Sequence, residues 1–151
     1  MEKEGYVPLV RLKAVKEKEI RYPGGRLEKA EKAADLAAAL LQDSDRECVL
    51  VCCVNSRMEP ISLELVAIGT INNCVVCPRE VFKHAILCNA AYLFLFHNHP
   101  SGEPSPSADD RKITERIREA GDLLGIQLLD HIIIGDGKDY FSFKEQGLLT
   151  A

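Results

Sequence analysis

The chain has 151 residues, 46% hydrophobic and 28% charged. That is enough for one domain with a sizeable core and too little for two. A net charge of −4 and a pI near 5.6 disfavour wide, non-specific binding to duplex nucleic acid, whose phosphates reward basic surfaces. No apolar run approaches the ~20 residues of a membrane span. The segment Met1-Glu2-Lys3-Glu4-Gly5 lacks the apolar centre of a secretory signal, so the expected compartment is the cytoplasm.

Val10, Leu12 and Ala14 alternate with Arg11, Lys13 and Val15, which predicts a strand. Arg11, Lys13, Lys16, Lys18 and Arg21 form a basic stretch there. It reads first as a strand edge guarded by charge, with a nucleic-acid contact as the weaker alternative. Pro23-Gly24-Gly25 breaks the chain. Ala30, Ala33, Ala34, Ala37, Leu40 and Leu41 recur at helical spacing within Leu27–Gln42, and Asp43-Ser44-Asp45 stops that helix.

Cys48–Val54 is continuously apolar, the pattern of a strand buried on both faces. Asn55-Ser56-Arg57 is a turn and Pro60–Ile68 its hairpin partner, ended by Gly69. Pro78 suits the first turn of a helix with Val81, Phe82, Ala85, Ile86 and Cys88 on its apolar face. A strand follows over Ala91–Phe96. A helix from Ala108 carries Ile113, Ile117, Ala120 and Leu124 on one face and stops at Gly125. Gln127–Ile134 is a strand, Gly135-Asp136-Gly137 a turn, and Tyr140–Phe143 a short last strand. Strands alternating with three helices predict an α/β sandwich around a mixed sheet. Residues 1–25 read as a strand extension and 27–149 as the core.

The six cysteines, in a chain with this much apolar core, argue against a disulfide scaffold. Cys48, Cys52 and Cys53 read as small hydrophobes of a buried strand. Cys74-x-x-Cys77 is a lone pair and a weak metal or redox signal.

The chemistry concentrates in His97-Asn98-His99-Pro100 and Ser107-Ala108-Asp109-Asp110. Two His at i, i+2 on a strand or its extension face one way, with Asn98 facing the other. Two nitrogens and a carboxylate oxygen can hold one zinc ion and leave a position open for water, the pattern of catalytic zinc. Asp110 is the preferred carboxylate, and Asp109 sits one helical step, about 100°, away. A competing reading makes Ser107 and Asp110 a capping box, although Asp is shorter than the usual Glu or Gln.

His-x-His, seven residues, Ser, two residues and Asp, with a distant Glu, resembles the JAMM (MPN+) metalloprotease motif. His99, Ser107 and Asp110 match its spacing. More narrowly the chain resembles the RadC family, in Gly69-Thr70-Ile71-Asn72, Pro78-Arg79-Glu80-Val81-Phe82, Asn89-Ala90-Ala91, His97 to Gly102, Pro106-Ser107, Asp130 to Gly135 and Tyr140-Phe141-Ser142. The resemblance implies a three-layer α/β/α sandwich of the JAB/MPN, cytidine-deaminase-like architecture. RadC proteins often carry a helix-hairpin-helix module ahead of this domain, for which this chain has no room, and that weakens any inherited claim of DNA binding.

The resemblance also implies a general base. Suppose Cys48–Val54 is antiparallel to Pro60–Ile68, which in turn runs parallel to Ala91–Phe96. One edge then collects Glu47 beside His97 and His99, with Glu59 at the far edge and Glu64 mid-strand. The family's Glu likewise precedes a strand after the first helix; otherwise Glu47 is a solvated junction residue. By analogy with JAMM hydrolases, zinc acidifies a water, Glu47 moves its proton and Ser107 donates to the oxyanion. His131, beside Asp130, reads as a supporting or structural residue and His84 as a helix-surface residue. Glu103 and Ser105 could line a groove or be solvated, and Ser101-Gly102 reads as a turn or a close backbone approach.

The leading expectation is a zinc peptidase or isopeptidase with a polypeptide substrate. A base deaminase is disfavoured. Cys74-x-x-Cys77-Pro78 has the reverse order and precedes the His pair, and His97-Asn98-His99 lacks the paired Glu. The remaining alternative is a DNA-repair or mobile-element accessory protein whose zinc only supports the fold.

Overall fold

Seven consecutive apolar residues form strand β1 (Cys48–Val54), and every one is buried. A strand apolar on both faces needs cover on both. In this computed structural model, which describes residues 1–69 and 76–149, α1 (Ala30–Leu41) covers one face. The other is covered by α2 (Pro78–Leu87) and α3 (Ala108–Leu124). The sheet has the order β2-β1-β3-β4-β5, where β2 is Pro60–Ile68, β3 Tyr92–Asn98, β4 Gln127–Ile134 and β5 Tyr140–Ser142. β1 is antiparallel to β2 and β3, β3 is parallel to β4, and β4 is antiparallel to β5. The architecture is therefore the three-layer sandwich with a mixed sheet read from the sequence.

Strand alternation divides the core. Leu93 and Leu95 face α2 and α3, whereas Phe94 and Phe96 face α1 with stacked ring centroids 6.0 Å apart. Burying each such side chain contributes about 1.5–3 kcal/mol. α1 packs through Ala33, Ala34 and Ala37, small residues with high helix propensity that let the helix lie close to the sheet. It starts three residues later than read, yet Leu27 is still buried and donates its N–H to the Met58 carbonyl at 2.8 Å.

Three sequence expectations need correction. No strand forms over Val10–Ala14, and residues 1–29 carry neither helix nor strand. Leu9, Val10, Leu12 and Val15 stand exposed; alternation supplies a face to bury, but no ladder partner receives it. Of residues 1–25, only Ile20 and Tyr22 pack against the core. On α2, Ile86 is 54% exposed and His84 only 6%, the reverse of the reading. With Val81 at the centre of the buried face, His84 falls about 60° to one flank and Ile86 about 140° away. On α3, Leu124 is exposed beyond the packed face, next to the left-handed cap at Gly125 (φ 72°).

The readings that involve Thr70 to Asn72 and Cys74 lie outside the described residues. No helix among the described residues is long and apolar enough to cross a membrane.

Candidate metal centre

Register decides which residues meet. Val49 pairs with His97 and Cys48 with Ile68, so the start of β1 and the ends of β2 and β3 share one edge of the sheet. Glu47, one residue before β1, therefore lies beside His97. Its Oε1 is 3.8 Å from His97 Nε2. His97 continues the odd-numbered series of β3 and points to the α2/α3 face, while Asn98 points away. Asn98 brackets Glu47 through the main chain: its Oδ1 accepts from Cys48 N–H at 2.8 Å and its Nδ2 donates to the Arg46 carbonyl at 2.8 Å.

α3 brings the carboxylate. Ser107 caps it, accepting from Asp110 N–H at 3.0 Å, while Ser107 N–H donates to Asp110 Oδ2 at 2.9 Å. The same carboxylate reaches both imidazoles, with Oδ1 3.2 Å from His97 Nε2 and Oδ2 3.1 Å from His99 Nε2. Capping and clustering are thus compatible in one residue. Ser107 uses only an acceptor lone pair as cap, which leaves its O–H available to donate. Glu47, His97, His99 and Asp110 each offer an atom within 4.8 Å of the others and together are able to hold a metal ion.

A chain of hydrogen bonds assigns the imidazole protons. The Asp110 carbonyl can only accept, so the Thr114 hydroxyl donates to it at 2.6 Å. Thr114 Oγ1 then accepts from His131 Nδ1–H at 2.5 Å. His131 is fully enclosed, and burial pushes its pKa well below that of free imidazole, so it is neutral. Its Nε2 accepts from His97 Nδ1–H at 2.7 Å. His99 Nδ1–H donates to the Glu103 carbonyl at 2.8 Å. Both ligand-type histidines therefore present Nε2 to the same point, 3.0 Å apart. Two such lone pairs beside a carboxylate are suited to a positive charge between them, such as a metal cation.

The electrostatics agree. Burial opposes the charge of Asp110, but His97, His99 and the Ser107 N–H outweigh it and hold the carboxyl well below the usual range. The bond to Asp110 raises the His99 pKa against the opposing effect of burial. Next to the cluster lies a cavity of about 350 Å³ lined by Glu47, Val76, His97, Asp110, Lys112 and Arg116, among others.

Asp109 lies at the rim of that cavity and outside the four-residue cluster. Asp130 accepts from the Ser142 hydroxyl at 2.5 Å and from Lys144 N–H at 3.0 Å, which ties the C-terminal turn to β4. Glu103 accepts from Ser105 Oγ at 2.8 Å on the loop. Glu64 sits opposite Val51 in mid-strand and Glu59 at the far edge, away from the cluster. His131 stands behind His97 in the supporting place read for it, but the sequence reading missed its partner Thr114 and the bracketing by Asn98. The i, i+4 spacing of Asp110 and Thr114 on α3, which puts both on one helix face, was the available signal for the first.

A mixed sheet in this order, with helices on both faces and a His-x-His/Asp cluster at one edge, defines an α/β protein with a side-chain group able to hold a metal ion. The chain belongs to the family described as "RadC-like JAB domain", whose profile matches residues 27–148. It is 50% identical over 109 residues to a "UPF0758 protein" of Desulforamulus reducens, covering 72% of this chain and 48% of the relative. A Thermotoga maritima relative with that description is 44% identical over 105 residues, 70% of this chain and 47% of its own length. A Methanosarcina barkeri relative, "UPF0758 protein Mbar_A2303", is 43% identical over 109 residues, 72% and 47% respectively. The chain spans about half the length of these relatives.

Proposed function

We propose that this chain is a zinc-dependent hydrolase of amide bonds, a peptidase or isopeptidase, working in the cytoplasm. In this reading His97, His99 and Asp110 hold the metal, Glu47 is the general base and Ser107 the oxyanion donor. The observation that carries it is the convergence of both Nε2 atoms and the Asp110 carboxylate on one point, with Glu47 Oε1 3.8 Å from His97 Nε2.

The donor set suits zinc, with two imidazole nitrogens and one carboxylate oxygen from protein. When bound, the ion supplies Lewis acidity that makes water acidic near neutral pH. Glu47, partly exposed at the cavity wall, takes a proton from the attacking water. As the C–N bond breaks it delivers that proton to the leaving nitrogen. Ser107 O–H donates to the developing oxyanion, a contact of a type worth about 3 kcal/mol. Among the described residues β2 is an edge strand of the sheet, and its end at Ile68 lies in register with Cys48 beside Glu47. An extended polypeptide adding to that edge would run toward the cluster.

The test pairs metal analysis with a peptide-library digest. Protein purified without added metal is expected to carry zinc, and His97→Ala to lose it. Glu47→Gln is expected to keep its zinc and lose about 10²–10⁴-fold in cleavage. Wild-type cleavage by a fully loaded Glu47→Gln variant would remove Glu47 from the mechanism. No cleavage of any library member by loaded wild type would instead favour an accessory role in which zinc only supports the fold.

A further inference from the structure

A second group of ligand-type side chains lies elsewhere in the α2/α3 layer. Cys53 on β1 is fully buried, His84 on α2 nearly so, and Cys88 caps the C-terminus of α2 half-buried. One ligand atom from each lies within 4.8 Å of the other two. His84 and Cys88 are i, i+4 on a helix, a spacing that puts both on one face and recurs in helical metal sites. His84 Nδ1 is 3.4 Å from Cys53 Sγ. Tetrahedral zinc with usual bond lengths separates a sulfur and a nitrogen ligand by about 3.6 Å. His84 Nε2 is engaged by Ser62 Oγ at 2.6 Å. With Nε2–H donating to Ser62, the Nδ1 lone pair opens on the two sulfurs, the outer-partner arrangement that fixes a metal-binding imidazole.

We propose that Cys53, His84 and Cys88 form a second metal site for a thiophilic ion such as zinc, separate from the His97–His99–Asp110 cluster. Two thiolates match the charge of a divalent ion, and sulfur with imidazole selects zinc over magnesium or calcium. Ser62 pairs with Cys53 across the β1–β2 ladder, and Glu64, two residues on along β2, faces the same side. Burial chiefly, then Cys88 and Cys52 and last Glu64, pushes the Cys53 thiol up, and burial lowers the His84 imidazole against the opposing Glu64 charge. The half-exposed Cys88 provides an entry path. Without a metal the Cys53 S–H donates to His84 Nδ1 and the Cys88 S–H to the Ala85 carbonyl, and a bound ion would displace both protons. A side chain of similar volume without polar atoms would fill that space without needing Ser62.

Cobalt distinguishes the two sites, because thiolate ligation adds intense near-ultraviolet sulfur-to-cobalt charge transfer that nitrogen and oxygen ligands lack. Reduced, chelator-stripped protein is titrated with Co²⁺ and then with Zn²⁺. The charge-transfer band is expected in wild type, undiminished in the double variant His97→Ala/His99→Ala, and bleached by zinc. Cys88→Ser, at the accessible end of the group, is expected to lose roughly half or more of the band, with unchanged far-ultraviolet circular dichroism. His84→Asn should weaken cobalt binding without adding or removing a sulfur. Absence of the band at saturating cobalt would overturn the proposal. So would a band of full intensity in Cys88→Ser, since the sulfur would then come from elsewhere. A band lost with His97 and His99 would overturn it too.

Discussion

Asn98 shows how much of the candidate site depends on a residue that touches none of its ligand atoms. Its amide holds the main chain on both sides of Glu47, at the Arg46 carbonyl and the Cys48 N–H. Asn98→Ala would leave both groups without that partner, at a cost of about 1–3 kcal/mol in stability for each group that stays buried. Under the proposed mechanism that variant is expected to bind zinc as wild type does and to lose turnover through a displaced Glu47. Zinc analysis beside a cleavage assay and a denaturant melt checks this, and unchanged turnover would mean that Glu47 needs no such bracket. The strand period made the outward direction of Asn98 legible, but what it would meet depended on the β1–β3 register, which no local pattern encodes. Asp110 was open to two readings because capping and clustering both suit a first-turn carboxylate. Its two oxygens serve both at once.

At the level of elements, the loop from β3 to α3 sets the distance between His99 and Asp110. His99 N–H donates to the Ile134 carbonyl at 3.1 Å, Gly102 N–H to the His99 carbonyl at 2.9 Å, and Asp136 N–H to the Gly102 carbonyl at 3.0 Å. Gly102 has φ +85°, and a Cβ there would run into the Asp136 carboxylate. Gly102→Ala is therefore expected to destabilise by about 1–2 kcal/mol from the left-handed backbone alone, read as a lower midpoint in urea. A midpoint equal to wild type would show that the loop relaxes freely. β1, β4 and α3 were readable because burial dictates their pattern, an unbroken apolar run in β1 and a helical period in α3, whereas β2, with no fully buried residue, was readable as the strand after a turn. The strand over Val10–Ala14 was not, since alternation says nothing about whether a partner strand exists. His84 was misplaced because the centre of a helix's buried face depends on what packs above it.

For the whole molecule, topology did most of the work. The short β1–β2 hairpin and the α2 connection to β3 put three strand ends at one edge, and that made the position of Glu47 legible before any contact was known. The separation of β2 from β3 by β1 was not legible, because direction along a sheet does not fix order within it. Residues 1–25 stand apart from this frame, reaching the core only through Ile20 and Tyr22. Deleting residues 1–18 is expected to leave stability within about 0.5 kcal/mol of the full chain, measured by denaturant unfolding. A larger loss would reveal packing of that segment in solution. Finally, contacts run from the Asp110 carbonyl back to its own carboxylate: hydrogen bonds through Thr114 and His131 to His97, then the 3.2 Å approach of His97 Nε2 to Asp110 Oδ1. They form a closed circuit through α3, β4 and β3. A circuit that starts and finishes on one amino acid has no loose end from which to fray, so shifting the helix against the sheet disturbs every member together. Loss of the centre should then be all-or-none, coinciding with cooperative unfolding of that layer instead of preceding it ligand by ligand.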